Sequence, residues 1–247
     1  MNTAPPAGDG PVPAVGRNHT GGPPDDARPA PGADRTPRET VAVLAATAEV
    51  LARPGLGEHL LAPWERRRLT RIRTPRRRDD VVAARLLLRL CLARVTGLPP
   101  RSVALAQRCD ACGRHGHGRP HVPGRPGWGV SLSHTDGLVA AAVGPGPVGV
   151  DVEPAARRPG PPRVLARLLP ETELRAAATA DDPGPALLRL WVRREALFKA
   201  GRDDLPLLEW TDGHRAAVVA VAGTFPVAVL SLSAVLPPAG LHSASSR

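Results

Sequence analysis

Residues Val148–Glu153 read V-G-V-D-V-E, a strict alternation of apolar and other residues. Side chains alternate across a strand, so Val148, Val150 and Val152 face one way while Gly149, Asp151 and Glu153 face the other. Just upstream, "WGVSLSHTDGLVAAAVG" at Trp128–Gly144 has two β-rich runs around Asp136-Gly137, which predicts a β-hairpin with that dipeptide in the turn. Thr40–Gly55, "TVAVLAATAEVLARPG", predicts a strand running into a turn, although its alanines blur the period. Asp79–Pro100 predicts a helix. Asp79 or Asp80 would cap its start, Gly97 stands past its end, and Pro99 and Pro100 stop it. On that helix Arg85 and Arg89 share a face beside Val82, Leu86, Leu90 and Leu92. Two further helices are predicted, one over Arg163–Ala178 and one through Trp191–Ala200. His214–Gly223 and Phe225–Val235 predict a closing hairpin, and the mixture is α+β.

The ends of the chain break the pattern. Met1–Arg38 holds nine prolines and six glycines, with Val12 and Val15 as its only branched aliphatics. Such a segment buries too little apolar surface to offset its ordering entropy, so residues 1–38 are expected to form a disordered tail, with a second flexible tail at 236–247. Between them the division expected is 39–143 and 144–235. No basic start followed by an apolar run marks a signal peptide, and no run of about 18 apolar residues marks a membrane span. Three cysteines do not suggest a disulfide framework, and a cytoplasmic location is expected.

Charge then narrows the partners. The net charge is +10, and Arg66–Arg94 alone carries eleven arginines against Asp79 and Asp80. That patch suits a polyanion such as a phosphorylated cofactor, a nucleic acid or an acidic protein. No Phe, Trp or Tyr lies between Trp64 and Trp128, so single strands find no stacking platform there, and nucleic acid is not the expected partner. Gly144, Gly146 and Gly149 fit the G-x-G-x-x-G dinucleotide pattern, but they lead into a strand, and Pro145 and Pro147 have no N–H to offer a phosphate. Lys199 follows no glycine loop, which excludes a Walker A motif.

Chemistry concentrates in two short stretches. Asp151 and Glu153 on one strand face are hard oxygen ligands suited to Mg²⁺, or else a charged solvent face. Trp191, Glu195 and Lys199 stand at i, i+4 and i+8, one file up a helix, where a surface ion pair is the plain alternative. Lys199 is nonetheless the single lysine among 33 basic residues. Asp151, Glu153 and Glu195 are therefore candidates for one three-carboxylate metal site. Cys109, Cys112, His115 and His117, crowded into nine residues, are candidate zinc ligands.

"GVDVE" followed by "WVRREALFKA" resembles the signature pair of the 4′-phosphopantetheinyl transferase superfamily, and more closely its stand-alone class serving polyketide and non-ribosomal peptide synthases. "GRP" at Gly118–Pro120, "SLSHTDG" at Ser131–Gly137 and the arginine-rich stretch ahead of "AARLLLR" match in order, so the likeness runs from about Val41 to Leu232. The resemblance implies two similar α/β subdomains about a pseudo-twofold, with the active site in the cleft between them. It implies a monomer that uses Mg²⁺ to move phosphopantetheine from coenzyme A to a serine of an apo acyl or peptidyl carrier protein, releasing 3′,5′-ADP.

Carried over, Asp151, Glu153 and Glu195 hold the metal, Glu195 is also a candidate base, and Lys199 meets the pyrophosphate. Arg119, Ser133 and His134 hold coenzyme A, with Arg68 and Arg85 on its 3′-phosphate. Two positions depart from the family: Arg194 stands where a lysine is usual, and Asp204 where a glycine is. A non-catalytic binder of coenzyme A or carrier protein is the competing reading, although all three carboxylates are present. A basic nucleic-acid-binding module is a third.

Overall fold

The computed structural model describes residues 37–237, apart from 110, 161–164, 167–168 and 225. Residues 1–36 and 238–247, most of both expected tails, lie outside it.

Strand β1 (Thr40–Ala46) leads directly into helix α1 (Thr47–Leu51), where the sequence predicted a turn. Helix α2 (Pro63–Leu69) and the long α3 (Pro75–Thr96) follow, then the small hairpin β2 (Ala106–Arg108) and β3 (Arg119–His121). Strands β4 (Trp128–Thr135) and β5 (Leu138–Pro145) form the predicted hairpin, with Asp136 and Gly137 at φ 33° and 86°. Positive φ at both central residues is what a tight two-residue turn needs. The second half runs β6 (Gly149–Pro154), α4 (Glu171–Ala178), α5 (Pro183–Ala200), β7 (Leu207–Asp212) and β8 (Ala217–Ala222). Strand β9 (Val227–Leu230) and a short α6 (Leu232–Val235) end it.

Besides the two-stranded β2-β3, two larger sheets form, ordered β4-β5-β1-β9 and β6-β8-β7. Period-two alternation explains how they stack. Val41, Val43 and Ala45 of β1, with Val139, Ala141 and Val143 of β5, face α3. The intervening Ala42, Leu44, Ala140 and Ala142 meet Val148, Val150 and Val152 of β6 and Val219 and Val221 of β8. The opposite face of β8, Val218, Ala220 and Ala222, packs on Leu188, Val192 and Ala196 of α5. The order is helix, sheet, sheet, helix, and the central strands β1, β5, β6 and β8 are buried on both faces.

Further expectations change. Of the helix expected over Arg163–Ala178, Glu171–Ala178 is helical with Pro170 at its N-cap, while 163–164 and 167–168 lie outside the described residues. The predicted closing hairpin does not form: β8 pairs antiparallel with β6 and β7, while β9 pairs parallel with β1 in the other sheet. Strand β7 was not predicted because its sequence, LLEWTD, shows little apolar–polar alternation. Helix α3 begins a turn earlier than Asp79, at Pro75, whose fixed φ suits the first helical position. Asp80 is thereby freed from capping. Its Oδ1 instead accepts from the Thr47 hydroxyl at 2.5 Å and the Gly137 N–H at 3.2 Å, tying α3 to α1 and to the hairpin turn. Gly97 ends α3 in the left-handed conformation as expected.

Candidate active site

The site lies where edge strand β4 of one sheet meets edge strand β6 of the other. Hydroxyls at every second residue of β4 reach across. Ser131 Oγ accepts from the Val150 N–H at 3.0 Å, Ser133 Oγ donates to Asp151 Oδ1 at 2.8 Å, and Thr135 Oγ1 donates to Glu153 Oε2 at 3.2 Å. Helix α5 covers the carboxylate face of β6 because Gly149 leaves room for it. A Cβ at Gly149 would stand 1.8 Å from the Ala196 carbonyl oxygen.

That approach brings Lys199 onto Asp151. The ammonium donates to Asp151 Oδ1 at 2.6 Å and to Ser133 Oγ at 2.8 Å, closing a triangle with the Ser133–Asp151 bond. Lys199 is thus paired with Asp151, where helical spacing alone offered Glu195. It also stands in the last turn of α5, where the helix dipole favours a cation.

The three carboxylates share one neighbourhood. Burial, and then the charge of Asp151, push the carboxyls of both Glu153 and Glu195 above their usual range. Glu153 is already answered in part by Arg157, whose Nη1 donates to Oε2 at 2.6 Å. Asp151 Oδ2 is buried and accepts no hydrogen bond among the described residues. A buried, unpartnered carboxylate oxygen is costly, and a bound divalent cation would offset that cost. With two more carboxylates beside it, the donor set fits Mg²⁺.

The anion-binding candidates are placed differently from one another. Arg119 lies against the end of α5, with Nη2 on the Phe198 carbonyl oxygen at 3.5 Å. Its guanidinium covers Gly201, where φ is +75° and a Cβ would come within 2.1 Å. Arg119 and Lys199 line a cavity of about 220 Å³ with Pro120, Trp128 and Pro147. Burial pulls the His134 imidazole below its ordinary pKa. Asp80 opposes this, while Lys199, Arg77 and Arg85 reinforce it.

Arg85 is only 6% exposed and is already committed. Its Nη1 donates to the wholly buried Glu65 at 2.6 Å, its guanidinium stands 5.1 Å over the Trp64 ring, and Glu65 also takes Arg89. Arg68 is exposed, bonds the Gly116 carbonyl oxygen at 2.9 Å, and lies close enough to help depress Arg85. Arg66, Arg67, Arg71, Arg73, Arg76 and Arg77 are exposed as well. Of the two departures from the family pattern, Arg194 pairs with Asp203 at 2.7 Å, and Asp204 is held by Arg202 at the surface.

A larger cavity of about 850 Å³, lined by Leu56, Leu60, Leu98, Val235 and Leu236, contains none of these groups. Sequence reading missed Thr135, Arg157 and Glu65. The hydroxyls at 131, 133 and 135 were a legible signal, since they repeat with the period of the carboxylates they meet.

Residues 147–224 match the profile of the 4′-phosphopantetheinyl transferase superfamily. The 4′-phosphopantetheinyl transferase of Bacillus subtilis is 28% identical over 138 residues, which are 52% of this chain and 58% of that relative. The match thus spans less than two thirds of the relative's length. The span from 147 to 224 contains Asp151, Glu153, Glu195 and Lys199, so the likeness to that superfamily falls on the site itself.

Proposed function

We propose that this chain transfers 4′-phosphopantetheine from coenzyme A to a serine of an apo acyl or peptidyl carrier protein, releasing 3′,5′-ADP. The observation that carries the reading is the Asp151–Ser133–Lys199 triangle beside Glu153 and Glu195, with Asp151 Oδ2 buried and unpartnered. Asp151, Glu153 and Glu195 would hold Mg²⁺, which when bound screens the charge of the diphosphate. Lys199 meets a pyrophosphate oxygen. Arg119, Ser133 and His134 hold coenzyme A in the cleft between 39–143 and 144–235, and Arg68, with Arg85 behind it in charge, meets the 3′-phosphate.

The serine Oγ forms a bond to the pantetheine phosphorus as the bond from that phosphorus to the bridging oxygen breaks. The serine proton passes to the Glu195 carboxylate. The exposed arginines suit an acidic carrier, and polyketide and non-ribosomal peptide synthases supply such carriers. The reading takes the protein to act as a cytoplasmic monomer.

Incubation with coenzyme A, Mg²⁺ and a panel of apo carrier proteins should add one phosphopantetheine mass to at least one carrier. Asp151→Ala and Glu195→Gln should each lower turnover by at least ~10²-fold, because each removes charge from a site that must neutralise a diphosphate. A broad panel left unmodified at every Mg²⁺ concentration, or a fully active Asp151→Ala, would overturn the reading.

A further inference from the structure

Hairpin β2–β3 is joined by residues 109–118, described apart from 110, and the transfer chemistry does not use their cysteines and histidines. The loop is folded back on itself. The Cys109 N–H donates to the Arg114 carbonyl oxygen at 3.0 Å, the Gly113 N–H to that of Cys109 at 2.8 Å, and the Gly116 N–H to that of Gln107 at 2.9 Å. Gly113, Gly116 and Gly118 all take positive φ, from +68° to +88°. A Cβ on Gly118 would come within 2.3 Å of the Arg108 carbonyl oxygen, so this tight course depends on glycine.

What the loop gathers is a ligand set. The donor atoms of Cys109, Cys112 and His117 all lie within 4.8 Å of one another, and Cys112 Sγ stands 3.2 Å from His117 Nε2. With Zn–S near about 2.3 Å and Zn–N near about 2.0 Å, tetrahedral donors lie roughly 3.5–3.8 Å apart, inside that range. Two sulfurs and an imidazole, from a C-x-x-C turn and a histidine five residues on, form a soft donor set that selects zinc over Mg²⁺. His115 is not part of the cluster. Its backbone bridges to Arg108 and its side chain is exposed. The third cysteine, Cys91, is fully buried in α3 and takes no part.

We infer that Cys109, Cys112 and His117 bind one Zn²⁺, with water as the fourth ligand, and that the ion clips the loop together. On binding, the two thiols lose their protons to solvent, and the resulting thiolates and the neutral imidazole donate lone pairs to Zn²⁺ without any change of oxidation state. The clipped loop reaches two of the anion-binding candidates: Arg68 bonds Gly116, and Arg119 opens β3 just past the loop. The metal assignment is independent of the transferase reading; only the consequence for Arg68 and Arg119 rests on it.

The test uses the full chain, reduced, stripped with a chelator and titrated with Co²⁺. One equivalent should produce thiolate-to-cobalt charge-transfer absorption and intense tetrahedral visible bands, both abolished by Zn²⁺, and native mass spectrometry should find one zinc per chain. Cys112→Ser and His117→Ala should each weaken binding by more than the about 10–100-fold that changes behind a ligand cost. Absence of the charge-transfer band in the parent protein would overturn the inference. Equal binding by the Cys109→Ser, Cys112→Ser double variant would do so too, as would a Cys109–Cys112 disulfide in freshly isolated protein that takes up no metal after reduction. Because Co²⁺ absorption is read without substrate, its failure is distinguishable from failure of the carrier assay.

Discussion

Lys199 places one nitrogen between Asp151 and Ser133, and its shape is what permits that. An ammonium is a compact point donor, whereas a guanidinium is a wide planar fork that needs two aligned acceptors. Lys199→Arg should therefore lose at least ~10-fold in kcat, or ~1.4 kcal/mol of transition-state stabilisation, with charge conserved. Arg194→Lys, at a surface pair with Asp203, should stay within about threefold of the parent in the same assay. Equal turnover by Lys199→Arg and the parent would mean that the shape of the cation has no role.

His134 makes a separate prediction about pH. Its imidazole is depressed chiefly by burial, so below a pH of about 6.5 the unfolded chain binds a proton that the folded chain resists. Its contribution is whole above about 6.5 and is lost as pH falls from there to the depressed folded value. Glu153 and Glu195, shifted upward, work in the opposite sense and gain stability on acidification. Urea midpoints measured from pH 8 to pH 5.5 should fall more steeply for the parent than for His134→Gln. Parallel curves would show that His134 titrates alike in both states.

Between elements, Glu65 of α2 is wholly buried against Arg85 and Arg89 of α3. Its second oxygen also accepts the Ala62 N–H at 2.7 Å, so one side chain starts α2 and anchors it. Glu65→Gln leaves two buried guanidiniums without a counter-charge, and chemical denaturation should show a loss of about 3–5 kcal/mol. A loss under about 0.5 kcal/mol would show the pairs to be solvated. This tie also marks how far the sequence could be read. The 3.6-residue spacing put Arg85 and Arg89 on one face, but Glu65 is 20 residues from Arg85, and no local period points to it. The same holds at the site. Alternation showed that Asp151 and Glu153 share a face, while the partner of Asp151, Lys199, lies 48 residues away on a helix. Faces are local properties; which faces meet is decided by the stacking of two sheets. The failed closing hairpin has that cause too, since β8 and β9 are neighbours in sequence that belong to different sheets.

For the whole molecule, the parallel pair of β1 and β9 is the one sheet pairing that joins the two ends of the described chain, Thr40 opposite Val227. A chain ending at Gly223 should keep α3 and the three antiparallel hairpins, β2–β3, β4–β5 and β7–β8, yet expose the β1 edge. Size-exclusion chromatography should then find aggregates, and thermal unfolding should broaden. A monomeric, sharply melting truncation would show β9 to be dispensable. The same pairing governs how the protein is made. Residues 40–46 leave the ribosome well before residues 227–230 exist, an interval of about 10–40 s at about 5–20 residues per second. Throughout it β1 offers an apolar edge to any neighbouring nascent chain on the same message, so translation speed across the second half sets how long each copy is open to a sister copy.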